Sequence, residues 1–201
     1  MTNKKNRMIK SCDLKNQYGF DVVGIVQGKS RNIIILGLET KPDRDLDEFL
    51  GGDPWRTLGF EKHFVPITDK LILDVKKKGY IITQERNNTF PIKKYAVMSG
   101  IGQQGKNTLV INHEFDARLR FMALITNMPI KLSGNQAYEQ KPNPRCEKCK
   151  NLCIVECCEK VLNEYCLIDK TKCKAYKQLD DPTPGQIRCN VCWKACEENK
   201  D

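Results

Sequence analysis

Ten of the chain's eleven cysteines fall between Cys146 and Cys196, and no other feature restricts the fold as tightly. They are Cys146, Cys149, Cys153, Cys157, Cys158, Cys166, Cys173, Cys189, Cys192 and Cys196. The opening residues Met1 to Lys10 are basic and lead into Ser11, Cys12, Asp13 and Lys15 without an apolar stretch, so no secretory leader is expected. In a reducing cytoplasm, thiols this dense serve as metal ligands rather than disulfides.

Spacing narrows the metal. Cys146-x2-Cys149-x3-Cys153-x3-Cys157 and Cys189-x2-Cys192-x3-Cys196 form two groups, with Cys173 between them. Two tetrahedral zinc ions would also use eight thiolates, so the count does not separate zinc from iron–sulfur clusters. In two-cluster ferredoxins, however, the fourth cysteine of a run leaves its own group to ligate the other cluster. By that rule Cys146, Cys149, Cys153 and Cys196 hold one [4Fe–4S] cluster, and Cys157, Cys173, Cys189 and Cys192 hold the second. Two departures stand out: three residues, Lys150, Asn151 and Leu152, separate the second and third cysteines, and Cys158 replaces the usual proline, which makes it an alternative ligand to Cys157. Cys12 and Cys166 are expected to be small buried apolar residues.

A length of 201 residues suits one substantial core plus a small metal-stapled unit. No apolar run reaches the length of a membrane span, and the expected setting is cytoplasmic. The formal charge of +9 falls to roughly +5 with two clusters bound, each carrying about two negative charges with its thiolates. That balance suits an anionic partner, although the basic residues are dispersed, as on an ordinary soluble surface.

Along the chain, residues 8–20 predict a short helix ending near Gly19. Val22 to Val26 predict a strand broken at Gly24, and Asn32 to Leu38 a strand covered on both faces. From Glu39 to Pro54 a polar, acidic loop or short helix is expected at the rim, its carboxylates solvated. Pro66 to Lys78 predicts a helix stopped by Gly79, Tyr80 to Thr83 a strand, and Pro91 the first turn of a helix toward Met98. His63 and His113, the only histidines, are expected to be ordinary surface or satisfied residues.

Gly100-Ile-Gly-Gln-Gln-Gly105-Lys106-Asn107 spells two nucleotide motifs in the wrong context. A dinucleotide loop needs a strand before it and a helix after it, and here that order is reversed; a P-loop needs a hydroxyl where Asn107 stands. What remains is a glycine turn between helix and strand, or a backbone that must approach a bulky ligand.

The run Lys94 to Ile111, then Arg118 to Thr126 with Pro129-Ile130, then the cysteine groups, resembles the epoxyqueuosine reductase family and its iron–sulfur relatives. Tyr18 to Ile25 is similar to that family's opening, and Cys173 follows Cys157 at a spacing like that of the isolated ligand of its second cluster. The resemblance implies an α+β fold: a nitroreductase-like mixed sheet with helices over residues 1–140, then a bacterial-ferredoxin-like two-cluster domain over 141–201. It implies cobalamin against Gly100, Gly102, Gly105, Lys106 and Asn107, an electron donor such as ferredoxin or flavodoxin, and a tRNA or small-molecule substrate. Glu85 is the carboxylate available as proton donor where the tRNA-modifying enzymes carry an aspartate. Lys106 and Arg120 are expected to meet phosphate or carboxylate groups. Two functions follow: an oxidoreductase passing electrons through the clusters to a corrinoid, or an electron-transfer protein that has lost the substrate pocket. A nucleic-acid-binding zinc protein ranks behind both.

Overall fold

The computed structural model describes residues 8–50, 57–85, 89–134, 136–138 and 143–198. The chain divides into two compact units, each assembled from separated segments. The first comprises Met1–Leu38, Ile67–Ile101 and Phe121–Tyr138, and the second Glu39–Pro66, Gly102–Arg120 and Glu139–Asp201. The expected combination of a sheet with helices is present.

The first unit is built on a four-stranded sheet. Its strands are β1 (Val22–Gln27), β2 (Asn32–Glu39), β3 (Ile82–Glu85) and a later strand, Leu119–Thr126, in the order β1, β2, Leu119–Thr126, β3. β1 and β2 form an antiparallel hairpin from Val22 opposite Gly37 to Gln27 opposite Asn32. Leu119–Thr126 runs antiparallel to β3, with Ile82 opposite Thr126 and Glu85 opposite Ala123. Ile33 to Leu36 are all buried, as an unbroken apolar run requires when both faces are covered.

Helix α1 (Ser11–Tyr18) begins where the Asp13 carboxylate accepts the Lys10 backbone N–H at 2.9 Å. It ends at Gly19, whose φ of 82° only glycine adopts cheaply. Leu14 and Tyr18 face the core, and the Tyr18 hydroxyl donates to Asp74 at 3.0 Å on helix α2 (Val65–Lys77). Burial and that carboxylate push the Tyr18 phenol up to about 12. Cys12, expected to be buried, is exposed because the inward positions of α1 belong to Leu14 and Tyr18. A π-helical turn, Phe60–Phe64, runs into α2, and no sequence pattern announced it. Pro91 precedes helix α3 (Ile92–Met98), as expected.

Gly24 was expected to break its strand, but it pairs with Ile35 inside a continuous β1. The reason for a glycine is steric: a Cβ there would lie 2.0 Å from Ser99 Oγ and 2.9 Å from Ile101 Cδ1. Ser99 cannot move aside freely, since its hydroxyl donates to Ala96 O at 2.9 Å and its carbonyl accepts from Ser133 Oγ at 3.1 Å. Gly24→Ala should therefore destabilise the fold by about 1–3 kcal/mol through overpacking, a fall in Tm of roughly 2–12 °C. Thermal unfolding followed by circular dichroism checks this, and an unchanged Tm would refute the close contact.

Candidate iron–sulfur site

The second unit carries the cysteines on short pieces of structure. The remaining elements are β4 (Gln103–Gln104), β5 (Val110–Ile111), β6 (the Leu119–Thr126 strand), α4 (Pro144–Lys148), α5 (Leu152–Val155), β7 (Leu162–Asn163), β8 (Cys166–Leu167), α6 (Lys174–Asp180) and α7 (Val191–Glu198). Asn143 caps α4 by accepting the Arg145 N–H at 3.0 Å, with Pro144 in the first turn. Asn151 has a φ of 58°, a left-handed residue that takes up the extra position between Cys149 and Cys153 and starts α5. Its backbone N–H points to Cys149 Sγ at 3.3 Å. The insertion relative to the ferredoxin spacing is thus absorbed in one turn.

Helix α5 packs against α7, which brings the two ends of the cysteine region together. Cys153 lies among Cys196, Cys149, Cys192 and Cys146, and burial with these neighbours pushes its thiol up to about 12. The Cys196 thiol is raised to about 11 by burial and by Cys146 and Cys149, with Arg145 opposing. Cys146 is raised by burial, partly offset by the backbone N–H of Lys106. The four thiols assigned from sequence to the first cluster therefore share one neighbourhood.

The second set is looser. Cys157 is buried with Val161 and Leu162, and Cys173 and Cys192 pack against this group. Cys189 interacts with Cys173 and with Cys158, whose thiol shares a hydrogen bond with it. Cys158 is exposed while Cys157 is buried. Cys166, expected to be buried, lies exposed in the β7–β8 hairpin opposite Asn163.

Among the described residues no three His, Cys, Asp or Glu side chains converge tightly enough to hold a single metal ion. The donor set, several soft sulfur atoms in an apolar setting where free thiolates are costly and metal-bound ones are not, is of the kind that thiolate-held iron–sulfur clusters use. The buried indole N–H of Trp193, next to Cys192, has no acceptor among the described residues.

Residues 102–120 buttress this region. Gly102 and Gly105 are glycines because their own chain crowds them: added Cβ atoms would lie 2.4 Å from Ile111 O and 2.4 Å from Ile111 Cδ1. After the glycine turn comes a small hairpin, β4 with β5, in which Thr108 turns at a φ of 65°. Asn107 donates to the Cys192 carbonyl at 3.2 Å. Lys106 is 9% exposed, and its ammonium donates to Asn151 Oδ1 at 2.7 Å and pairs with Glu164 at 3.1 Å. Glu164 holds that ammonium above the usual lysine range against the cost of burial. Gly100 belongs to the first unit, where its φ is 78°. The carboxylate expected for Lys106 is thus internal, and the glycines are explained by self-packing.

Arg145 pairs with Asp116 and donates to the Cys196 carbonyl at 2.8 Å, tying α4 to α7. The acidic segment after β2 was expected to be solvated, yet Asp47 is 4% exposed. It forms a two-pronged pair with Arg120, Nε to Oδ1 at 2.7 Å and Nη2 to Oδ2. Its backbone carbonyl accepts the Arg188 N–H at 2.9 Å, so the segment closes over residues 186–188. Glu85, at the end of β3, is half-buried. Positions 51–56 and 86–88 lie outside the described residues.

No protein-family model matches the chain. An epoxyqueuosine reductase of Synechocystis sp. is 25% identical over 197 residues, 85% of this chain. The chain spans 63% of that relative's length. A solved epoxyqueuosine reductase from Streptococcus thermophilus superposes with a TM-score of 0.64 at 14% identity, over 94% of this chain and 65% of that one. A reductive dehalogenase, described as B12-dependent, gives 0.65 at 15% identity, over 94% of this chain and 31% of that one.

Arg120→Ala should cost about 3–5 kcal/mol, because it strands the Asp47 carboxylate in the interior. The double change Asp47→Leu with Arg120→Met should recover most of that loss in urea unfolding. Equal loss in both proteins would contradict the burial of the pair. With the cysteine geometry, the sequence likeness and the shared architecture together, the chain resembles the epoxyqueuosine reductases over most of its length and has the fold they share with reductive dehalogenases.

Proposed function

We propose that the chain is an iron–sulfur oxidoreductase component, in which residues 141–201 hold two [4Fe–4S] clusters in a bacterial-ferredoxin-like arrangement. The carrying observation is the interlacing of Cys196 on α7 with Cys146, Cys149 and Cys153. Cys157, Cys173, Cys189 and Cys192 are the second ligand set, with Cys157 preferred to Cys158 for its burial beside Cys173 and Cys192. Bound clusters supply one-electron transfer at potentials set by charge and hydrogen bonds around their sulfurs. The protein's part is to exclude water from the first set, hold its thiols with the Asn151 and Lys106 N–H groups, and place charge beside them.

The likeness to a B12-dependent dehalogenase and to epoxyqueuosine reductases supports a fuller reading, in which the electrons serve a corrinoid and a modified tRNA nucleoside, with Glu85 as proton donor. Gly102, Gly105, Lys106 and Asn107 are spent on the chain's own packing, which does not fit them to cradle a corrin. The two readings part on adding cob(II)alamin to the anaerobic protein. A changed cobalt spectrum, with turnover slowed by Glu85→Gln, supports the fuller reading, and an unchanged one leaves electron transfer alone.

Anaerobically prepared protein should be brown, with about eight iron and eight sulfide per chain. Cys157→Ser should lower this to about four, and Cys158→Ser should leave it at about eight; the opposite result would make Cys158 the ligand. Stoichiometric zinc in a colourless protein would end the proposal.

Lys106 and Glu164 set a second expectation. Removing a positive charge near the first cluster disfavours adding an electron, and removing a negative one favours it. Lys106→Met should lower that cluster's potential and Glu164→Gln should raise it, read by electron paramagnetic resonance during redox titration. Shifts of the same sign would show a merely structural role.

A further inference from the structure

If two clusters reside in this unit, electrons must enter it from outside, and the surface beside the second ligand set carries an unassigned feature. Resting on that reading, we propose that the concavity between α6 and the start of α7 is the docking site for an acidic one-electron carrier protein. The concavity has a volume of about 270 Å³. Three cations line it, Lys174, Arg188 and Lys194, and no carboxylate is among its lining residues. Both lysines are exposed, and no described carboxylate forms an ion pair with either, whereas Arg188 is half-buried over the Tyr176 ring and within reach of the Asp47 charge.

Three further observations favour this basic dent as an electron-entry site. Cys189 lies in its wall, next to Cys158 and Cys173, so a partner seated there reaches within one side chain of a proposed cluster ligand. Gln178 is buried and holds this wall in shape, accepting the Cys189 N–H at 2.6 Å and donating to the Ile187 carbonyl at 3.2 Å. Exposed apolar side chains, Ile187 at 48% and Val191 at 36%, stand among the cations.

An apolar centre with a charged rim is the make-up of a transient protein interface, where charges steer the encounter and the small apolar patch keeps the complex short-lived. An RNA backbone would meet cations here but would gain nothing from Ile187, Val191 or nearness to a cluster ligand. Cys157, Cys173, Cys189 and Cys192 would hold the accepting cluster, which would take up the one electron that the carrier gives. The carrier is oxidised by one electron, no bond forms or breaks, and no proton moves.

The test uses the full cluster-loaded chain, with iron and sulfide measured first, and a plant-type [2Fe–2S] ferredoxin as the acidic carrier. Calorimetric binding should weaken as salt is raised from 20 to 200 mM, as expected of steering between opposite charges. Lys174→Glu with Lys194→Glu should weaken Kd by about tenfold or more at low salt and slow reduction by ferredoxin equally. Reduction by the methyl viologen radical cation, which these charges do not attract, should not slow. Should charge reversal cost iron, the neutral pair Lys174→Gln and Lys194→Gln is measured in its place, with a smaller loss of the same sign.

Unaltered ferredoxin binding in a brown, fully loaded variant overturns the docking site and leaves the two-cluster reading standing. A colourless wild-type chain overturns both. If the variants weaken retention of an RNA stem-loop and leave ferredoxin untouched, the face belongs to nucleic acid and the proposal fails.

Discussion

Packing of α5 against α7 is the contact on which the second unit depends. These are short helices, 4 and 8 residues long, and neither is stable by itself. Their meeting places Cys196 among thiols that lie more than forty positions earlier in the chain. Crowding buried thiols is unfavourable whenever they ionise, which is why Cys153 and Cys196 are held far above the ordinary thiol range. A site that is costly for bare thiolates suits thiolates bound to a metal centre, whose positive charge offsets theirs.

Around these thiols the chain spends much of its charge on internal pairs rather than on ligands. Asp47 with Arg120, Asp116 with Arg145, and Lys106 with Glu164 each join segments distant in sequence. Such pairs add little net stability, but each charge forbids any packing that leaves it alone. They therefore specify how the segments 39–66, 102–120 and 139–201 assemble into one unit. Lys174 and Lys194 contrast with them, because both are exposed beside Cys189 and no described carboxylate forms an ion pair with either. The difference separates cations that build the unit from cations available to a partner.

Much of the first unit was legible in sequence because its signals are local. The run Asn32 to Leu38 could only be a strand covered on both faces, and Gly19 and Gly79 stop helices through a φ that other residues resist. Gly24 was misread as a break because its reason lies across the fold, in the Ser99 side chain. Cys12 and Cys166 were misread for a similar cause: a thiol's burial depends on which face its element turns inward.

In the cysteine region, spacing alone determined that soft-metal chemistry had to be considered and pointed to Cys196 joining Cys146, Cys149 and Cys153. Spacing could not say whether Cys157 or Cys158 turns inward, nor that Lys106 and Asn107 serve the cysteine segments. Those outcomes belonged to tertiary structure, since burial and charge pairing are set by neighbours that the linear order keeps apart. Short-range rules governed where each element begins and ends, and long-range electrostatics governed what each polar side chain is for.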